Sequence, residues 1–432
     1  MGCFLFIIGV EIRGAKNLTD GLMEKDIPRL RTDIDIIPTR YQGESALLIK
    51  DSLGLIKDPV ILQGAALQVI ALIDGRKDIR DIQLELMRLR GGVFVSRNDV
   101  EGILSEFDGA FLIDSSNYRR ERNKIAEEYS RLEVRDAFLA GTSYPRDPEK
   151  LKAYIRSILE LEEEVSHGLE ARRILALIAP HIDLEVGKKI YAKAYRMLKD
   201  SSPKRVLLLG TGHNLQESYF SLTEKDFATP LGLTKTDREW VKRLKEAGSE
   251  VISSDDFYHR SEHSLEFQLL FLQHLFGFEF LLLPVLCGSF HRVLSDISRP
   301  AEIQGMSAFL SVLKEYTEDD SNHTLTVVGV DFSHIGPKFG HRYVASSLLL
   351  EAKEHDRLLI QAISQGDVED FWAEAKRVNN RYRVCGFSAL AILMELLSGR
   401  KGHVLGYDFW MEGATQSAVS FAALAFSEDC DK

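Results

Sequence analysis

Short, almost continuously apolar runs that alternate with a helical pattern constrain the fold of this chain more than any other feature. Such runs suit strands that are buried on both faces of a sheet. The first four cover residues 173–179, 205–209, 278–286 and 324–330. Between the first two runs, a predicted helix over residues 184–198 carries small and apolar side chains on one face: Gly187, Ile190, Tyr191, Ala194 and Leu198. Strand, helix and strand in this order predict an α/β fold, with a sheet flanked by helices.

Two domains are expected, because 432 residues exceed the size at which a single hydrophobic core usually stops growing. Residues 403–409 and 418–426 add two more predicted strands to the larger domain. The charge pattern changes sharply within NYRRERNKIAEEYSRLEVR, which predicts a solvated helical connector over residues 117–134. We therefore predict a small module over residues 23–116 and an α/β domain over residues 135–428.

The smaller module has the pattern of three short helices closed by a strand. Two helices are predicted near residues 61–73 and 79–90. Ser96 and Asp99 form a predicted capping box at the start of a third helix, and an apolar strand is predicted over residues 110–113. This order predicts a winged-helix-like module, with a plain helical adaptor as the alternative.

Residues 1–22 are interpreted as a separate N-terminal extension with the apolar start MGCFLFIIGVEI. The stretch lacks the basic flank and the small-residue cleavage signal of a secretory signal, and it is too short to span a bilayer. It predicts either a short strand or an overlong start with Met23 as the initiator, and we favour the second interpretation. No membrane anchor is predicted.

Charge and cysteine spacing exclude several classes of protein. A net charge of −11 argues against a generic nucleic-acid binder or a protein drawn to anionic membranes, because both rely on a basic surface. The four cysteines (Cys3, Cys287, Cys385 and Cys430) include no C-x-x-C pair, so neither a disulfide framework nor a self-contained structural zinc site is predicted. A reducing, cytoplasmic setting fits best. The G-T-G-H sequence lacks the full phosphate-loop and dinucleotide-binding patterns, so no nucleotide is predicted.

Polar residues follow the predicted strands at the points where the strands end. His181 follows the first strand, His213 follows the second, and Asp331 and His334 follow a later one. In open α/β sheets, loops at the carboxyl ends of the strands converge on a common crevice. For each histidine alone, a structural role or a helix cap is the better explanation, but their shared position favours a functional site.

Cys385 lies in RVCGFSALAILMELL, where an apolar helix is predicted to begin. The N-terminus of a helix favours a thiolate, whereas a buried inert thiol is the competing interpretation. Two neutral imidazoles from His181 and His213 and one thiolate from Cys385 could hold a divalent or redox-active metal and leave open positions for substrate or water. The residues alone leave iron, copper and zinc open.

A further cluster lies in SEHSLEFQLLFLQHLF. It is not an H-E-x-x-H zinc motif, because Phe267 stands where the second histidine would be. Glu262 and His263 could reach a neighbouring site, where they would orient a ligand, contact substrate or exchange a proton. For Glu266 and His274, helix capping and surface solvation are equal alternatives.

Seven motifs in a fixed order resemble the Memo-like family, known in bacteria and archaea as AmmeMemoRadiSam system protein B. They are AGTSYPRDP, APHID, GTGHN, TPLG, EHSLE, DFSH and VCG, spread over roughly 290 residues. The resemblance implies a fold similar to class III extradiol dioxygenases of the LigB type. In those enzymes, two histidines and a carboxylate hold non-haem iron, and another histidine acts as acid or base.

Carried over position by position, the resemblance implies that His181, His213 and Cys385 are the ligands of a single transition metal. His334 becomes the candidate for proton transfer, with Asp331 beside it. A thiolate in place of the carboxylate changes the charge and the redox potential, which argues against ring cleavage as such. Iron or copper is favoured over zinc.

The sequence departs from some Memo-like relatives at two positions that follow the EHSLE motif. Gln268 replaces a histidine and Leu270 replaces a proline. Both changes leave the proposed ligands intact. His259 and Arg260 are candidate substitutes for the missing imidazole, although residues of a surface loop are the preferred interpretation.

The smaller module resembles PqqD-like domains over residues 56–114, most closely in ALQVIALIDGRKDIRDI. PqqD-like domains bind peptides for partner radical enzymes, so the resemblance implies a radical SAM enzyme or a peptide as the partner.

Three functions follow from these patterns. The first is a metal-dependent oxidoreductase in a radical-enzyme-associated system. The second is a non-catalytic partner that binds a peptide or protein, and the third is a metal-assisted hydrolase helped by His334 or Glu262. The substrate and the oligomeric state do not follow from the sequence.

Overall fold

The computed structural model describes residues 6–8, 27–51, 53–56, 60–161, 172–319, 323–397 and 399–428. The chain divides into two compact units, Met1–Tyr129 and Ser130–Lys432. No helix within the described residues is long and apolar enough to cross a membrane. Apart from residues 6–8, the predicted N-terminal extension lies outside the described residues, as do Met23 and Cys430.

The first unit combines a small sheet with short helices. Its described strands, in the spatial order β1-β4-β3-β2, are β1 (Phe6–Ile8), β2 (Ile34–Tyr41), β3 (Glu44–Asp51) and β4 (Val60–Leu62). Its helices are α1 (Ala65–Ile70), α2 (Ile79–Leu89), α3 (Arg97–Gly109) and α4 (Ser116–Ser130). Gln42 and Gly43 join β2 to β3 with φ of 52° and 84°, as a two-residue type I′ hairpin requires.

Two predictions for this unit are confirmed and two are wrong. The helix near residues 79–90 is present as α2, and the capping box of Ser96 and Asp99 opens α3. The helix predicted near residues 61–73 is instead β4 followed by the short α1, because an apolar run fits a buried strand as well as a helix. Residues 110–113 form no strand, since Phe111 has a φ of 55° and pairing is limited to an isolated bridge at Ile113.

The helix α4 occupies most of the segment predicted to be a solvated connector. It is mainly polar, but Tyr118 and Tyr129 are buried. The Tyr118 hydroxyl donates to Asp33 over 2.7 Å, and the Arg31 guanidinium lies over the Tyr118 ring. The N-terminal end of the connector is therefore packed onto the first unit rather than fully solvated.

The second unit is built on an eight-stranded sheet of mixed direction among the described residues, with the order β13-β15-β6-β12-β7-β11-β8 and with β14 paired to β15. Its strands are β6 (Ile174–Ala179), β7 (Arg205–Thr211), β8 (Phe220–Leu222), β11 (Leu281–Cys287), β12 (Thr324–Gly329), β13 (His334–Ile335), β14 (His403–Glu412) and β15 (Ser417–Ser427). The four central strands β6, β12, β7 and β11 run parallel. All six predicted strands of this unit are present, and the α/β class is confirmed.

Helices and a second small sheet surround these strands. The helices are α5 (Pro148–Leu159), α6 (Leu184–Arg196), α7 (Arg238–Ala247), α8 (His263–Phe276), α9 (Met306–Glu318), α10 (Ala345–Gln365), α11 (Val368–Val378) and α12 (Phe387–Leu397). The second sheet joins β5 (Val134–Arg135), β9 (Asp226–Thr229) and β10 (Gly232–Thr234) in the order β10-β9-β5.

Both faces of the central strands are buried, which explains their continuous apolar sequences. On β7, Leu207 and Leu209 enter one hydrophobic core, whereas Val206 and Leu208 enter the core on the opposite face. Alternate residues of a strand point to opposite faces, so helices cover the sheet on both sides.

Candidate metal centre

Three of the predicted site residues follow neighbouring parallel strands at the same distance from the strand ends. His181, His213 and Asp331 each lie two residues beyond the ends of β6, β7 and β12, respectively. The strand ends are aligned, because Gly329 pairs with Ala179 on one side and with Gly210 on the other. This alignment brings the three loops together at one edge of the sheet.

The side chains of His181, His213 and Cys385 converge there, although they are far apart in the sequence. One potential ligand atom from each residue lies within 4.8 Å of the other two. Cys385 Sγ is 3.3 Å from His181 Nε2, and the two imidazole centroids are 5.0 Å apart. Two nitrogens and one sulfur therefore surround a common point, which is the arrangement that a mononuclear metal site needs.

His181 is fixed from behind by the backbone of β12. Its Nδ1 lies 3.0 Å from the carbonyl oxygen of Gly329, so Nδ1–H donates to that oxygen and leaves the Nε2 lone pair facing Cys385. Burial, with further lowering by His213 and His263, holds the pKa of His181 well below its usual value. The ring is therefore neutral at neutral pH, as a metal ligand must be.

His213 is oriented by Glu262, which caps the N-terminus of α8. Its Nδ1 lies 3.0 Å from both carboxylate oxygens, and its backbone N–H donates to the same carboxylate over 3.1 Å. Burial opposes the charge on each partner, but their attraction outweighs it, raising the pKa of His213 and lowering the pKa of Glu262. The carboxylate therefore holds the Nδ1–H of a protonated His213, and a cation that binds this ring would displace its Nε2 proton.

His263 lies beside the group of His181, His213 and Cys385 but belongs to a second group of potential ligands, which shares His213 with the first. Its ring stacks on His213 with centroids 4.8 Å apart, and its Nδ1 is 3.2 Å from Glu262 Oε1. Its ring centroid is also 5.0 Å from that of His181. Burial lowers the pKa of His263 to about 4. His213, Glu262 and His263 form the second group of close potential ligand atoms.

Cys385 precedes α12 by two residues and lies close to His181, His213 and the Asp331 carbonyl. The helix-terminus argument predicted a stabilised thiolate, but burial raises the pKa of Cys385, and the hydrogen bond to His213 only partly offsets it. Without a cation this shift favours the competing interpretation of a buried thiol, because loss of water outweighs the helix dipole here. A bound cation would supply the missing stabilisation of the thiolate.

Asp331 and His334 lie on the loop after β12 and differ in their surroundings. Asp331 Oδ1 accepts the backbone N–H of His181 over 3.0 Å, and its Oδ2 is 3.6 Å from His181 Nε2. Burial raises the pKa of Asp331 to about 7. His334 Nδ1 lies 2.9 Å from the Phe332 carbonyl, and burial lowers its pKa to about 4. His334 is not among the close groups of potential ligand atoms found within the described residues.

A family model for Memo-like proteins matches residues 135–425. The chain belongs to the Memo-like family. The MEMO1 family protein of Aquifex aeolicus is 28% identical over 384 residues, covering 88% of this chain and 95% of that protein. The Thermus thermophilus member is also 28% identical, covering 82% of this chain and 99% of its own. The Pyrococcus furiosus member is 28% identical, and its alignment covers 67% of this chain and 98% of that protein.

The Aquifex match is longer than the second unit, so it extends into the first. Among solved structures, an uncharacterized protein of Escherichia coli K12 overlaps 58% of this chain and 98% of its own, with 10% identity and a TM-score of 0.36.

The Memo-like site is supported by buried groups outside the ligand set, one of which, Glu266, is predicted from the sequence to be a helix cap or a solvated surface residue. Glu266 is fully buried and pairs with Arg135, and it also accepts the Tyr144 hydroxyl. Tyr144 belongs to the AGTSYPRDP motif and Glu266 to the EHSLE motif, and membership in these motifs is the signal that the sequence offers. His259 was interpreted as a surface-loop residue, but it is buried and its Nε2–H donates to the Ser221 carbonyl over 3.0 Å.

Proposed function

We propose that the Memo-like domain holds one transition metal between His181, His213 and Cys385 and acts as a metal-dependent oxidoreductase. The observation that carries the proposal is the convergence of two imidazoles and a sulfur, with each Nδ1 already engaged by another group. Each ring thereby presents Nε2 to a cation, which would displace the Nε2 proton of His213, and the donor set suits iron, copper or zinc. When bound, iron or copper would supply redox chemistry and would retain open positions for substrate.

The residues around the three proposed ligands support proton exchange with a substrate. Asp331 lies beside His181, which supports a role for its carboxyl group in proton exchange with a substrate at the site. His334 remains a candidate for the same role from the loop after β12. Glu262 is a poor candidate for a general base, because both its oxygens already accept hydrogen bonds from His213 or Ser264.

The proposal is tested by measuring bound metal in protein purified anaerobically and reloaded with iron, copper or zinc. We expect about one metal per chain in the wild type and at least a tenfold loss of occupancy in His181→Ala and Cys385→Ala. His274→Ala and Cys287→Ala are matched controls from the same domain, and they should keep full occupancy. Equal occupancy in all five proteins would remove the proposed site.

The same preparations separate redox chemistry from metal-assisted hydrolysis. An oxidoreductase needs iron or copper and an electron acceptor such as dioxygen, whereas hydrolysis proceeds with zinc and without oxygen. We expect the protein to turn over its substrate only when it is loaded with iron or copper. Turnover of the zinc form under nitrogen would contradict the oxidoreductase and favour the hydrolase.

We propose a partner-binding role for the first unit, directed at a radical SAM enzyme or its peptide. The supporting observation is a pair of exposed apolar side chains next to α2, Val93 and Phe94, which are 60% and 74% exposed. A contiguous exposed apolar patch often marks an interaction surface. Full-length wild type should retain such an enzyme or peptide in a pull-down, and Phe94→Ser should lose it. Equal retention would contradict this role.

A further inference from the structure

A buried arginine at the start of the second unit holds the loop that leads into α8. Arg135 on β5 is 1% exposed and donates through Nε to the His259 carbonyl and through Nη2 to the Glu262 carbonyl, each over 3.0 Å. Its third contact is the ion pair of Nη1 with Glu266, one turn into α8. One guanidinium therefore ties both ends of the 259–262 loop to the helix that follows.

Glu266 connects this arginine to a second stretch of chain. Its carboxylate accepts the Tyr144 hydroxyl and the backbone N–H groups of Phe138 and Leu139, the latter two over 3.1 and 2.9 Å. These contacts, with Arg135, give the buried charge a complete set of partners. The segment from Arg135 to Tyr144 is thus fastened to the N-terminal turn of α8.

The residue at the end of this loop is the one that orients His213. Glu262 gives its carbonyl oxygen to Arg135 and its side-chain oxygens to His213, so any movement of its backbone moves the carboxylate as well. We infer that Arg135 and Glu266 form a buried clamp, assisted by Tyr144, that positions Glu262 and through it the metal-binding face of His213. The inference rests on the proposed metal site.

The chemistry of the clamp favours positioning over simple stability. A buried ion pair costs the desolvation of both charges, and apolar residues of similar volume often stabilise a fold equally well. Apolar side chains of α8 such as Leu265 and Leu269 are also buried and already hold the helix in place. A planar guanidinium donates hydrogen bonds in fixed directions to two carbonyls and a carboxylate. Apolar packing does not fix directions in this way.

The first test measures Co²⁺ affinity and the thiolate-to-cobalt absorption of the full chain. Arg135→Lys keeps the charge but cannot make all three contacts, so we expect Co²⁺ to bind roughly tenfold more weakly, with an altered absorption spectrum. Tyr144→Phe removes one donor to Glu266, keeps its volume and should weaken binding by about threefold. Unchanged affinity and spectra in both variants would overturn the clamp, and Tyr144→Phe alone decides if Arg135→Lys does not fold.

A double-mutant cycle separates positioning from general loosening of the fold. If the clamp acts through Glu262, Tyr144→Phe should have no further effect on Co²⁺ affinity in a Glu262→Gln background. Additive losses would contradict that route. Thr229→Val is the matched control, because it removes a buried hydroxyl contact to Gln273 at the far end of α8 and should leave affinity and spectrum unchanged.

A readout without metal distinguishes failure of the clamp from failure of the metal site. The Nδ1–H of His213, observed by ¹⁵N-edited NMR in metal-free protein, should be protected in the wild type and in Thr229→Val. It should broaden or shift in Tyr144→Phe. If the wild type binds no Co²⁺, the proposed function fails, and this signal still decides the clamp: no change in Tyr144→Phe would overturn it.

Discussion

At the scale of single residues, Gly386 determines how closely Cys385 approaches the strand-end loops. A Cβ added to Gly386 would lie 2.4 Å from Val330 Cβ and 2.9 Å from the Asp331 carbonyl oxygen. Cys385 and Asp331 are joined here by a hydrogen bond from Sγ to the Asp331 carbonyl over 3.5 Å. The absence of a side chain at position 386 therefore allows the loop before α12 to reach the end of β12.

Gly386→Ala should destabilise the protein by about 1–3 kcal/mol, because one methyl group is forced into a closed contact. It should also weaken metal binding, since the displaced backbone carries Cys385. Urea unfolding and a metal titration measure the two effects. Gly413→Ala is the control, because a Cβ there meets nothing within 4 Å. Equal unfolding midpoints for the two variants would contradict the close-approach argument.

His259 predicts a pH dependence of stability. Its Nε2–H donates to Ser221 and its Nδ1 is buried without a hydrogen-bond partner, so the folded protein resists protonation of this ring. Burial lowers the pKa of His259 to about 4, against about 6.5 in an unfolded chain. Its contribution is therefore complete above pH 6.5, is lost as the pH falls from about 6.5 towards 4, and amounts to about 3 kcal/mol.

His259→Gln can keep the donor to Ser221 and removes the titration. Its free energy of unfolding should fall less than that of the wild type between pH 6.5 and 4, as measured by urea unfolding at several pH values. Parallel pH profiles for the two proteins would show that His259 does not carry this dependence.

At the scale of elements, α8 organises the site from behind. Gln268 is fully buried on α8, donates to the Pro180 carbonyl over 2.8 Å and accepts the Tyr195 hydroxyl over 2.6 Å. It therefore links α8 to α6 and to the end of β6, one residue before His181. Glu262, which caps the N-terminus of α8, supports His213 through its carboxylate. A single helix thus backs both imidazoles.

Gln268→Leu should cost about 1–3 kcal/mol of stability, because the Pro180 carbonyl and the Tyr195 hydroxyl both lose their buried partner. Leu270→Met, a volume-conserving change two positions along the helix, should cost less than about 1.5 kcal/mol. Thermal or urea unfolding of both variants checks the difference. A Gln268→Leu protein as stable as Leu270→Met would contradict the bridging role.

The elements that were predictable are those whose signal is local. The strands that precede His181, His213 and Asp331 are buried on both faces, so each is a continuous apolar run that can be recognised directly in the sequence. The clamp was not predictable, because Arg135 and Glu266 are 131 positions apart and a charged residue on a helix is usually solvated. The β2–β3 hairpin was missed although Gly43 gives a turn signal, because the apolar alternation around it is weak.

At the scale of the whole molecule, the Memo-like match covers the second unit, and the Aquifex relative shares part of the first as well. The fold class and the order of the large unit followed from the sequence, since parallel strands need helical crossovers between them. The small unit was predicted less well, because short apolar segments such as Val60–Leu62 fit a strand or a helix equally. The strands that pair with Val60–Leu62 are β1 and β3, and their pairing is not visible in the local sequence.

The central claim is that two imidazoles and one thiolate share a single ion. Diffraction from anaerobically metal-loaded crystals, recorded on both sides of the absorption edge of the metal, tests it most directly. We expect one anomalous peak at roughly 2.0–2.4 Å from His181 Nε2, His213 Nε2 and Cys385 Sγ. A peak bonded to Glu262 and His263 instead, or no peak near these three atoms, would contradict it.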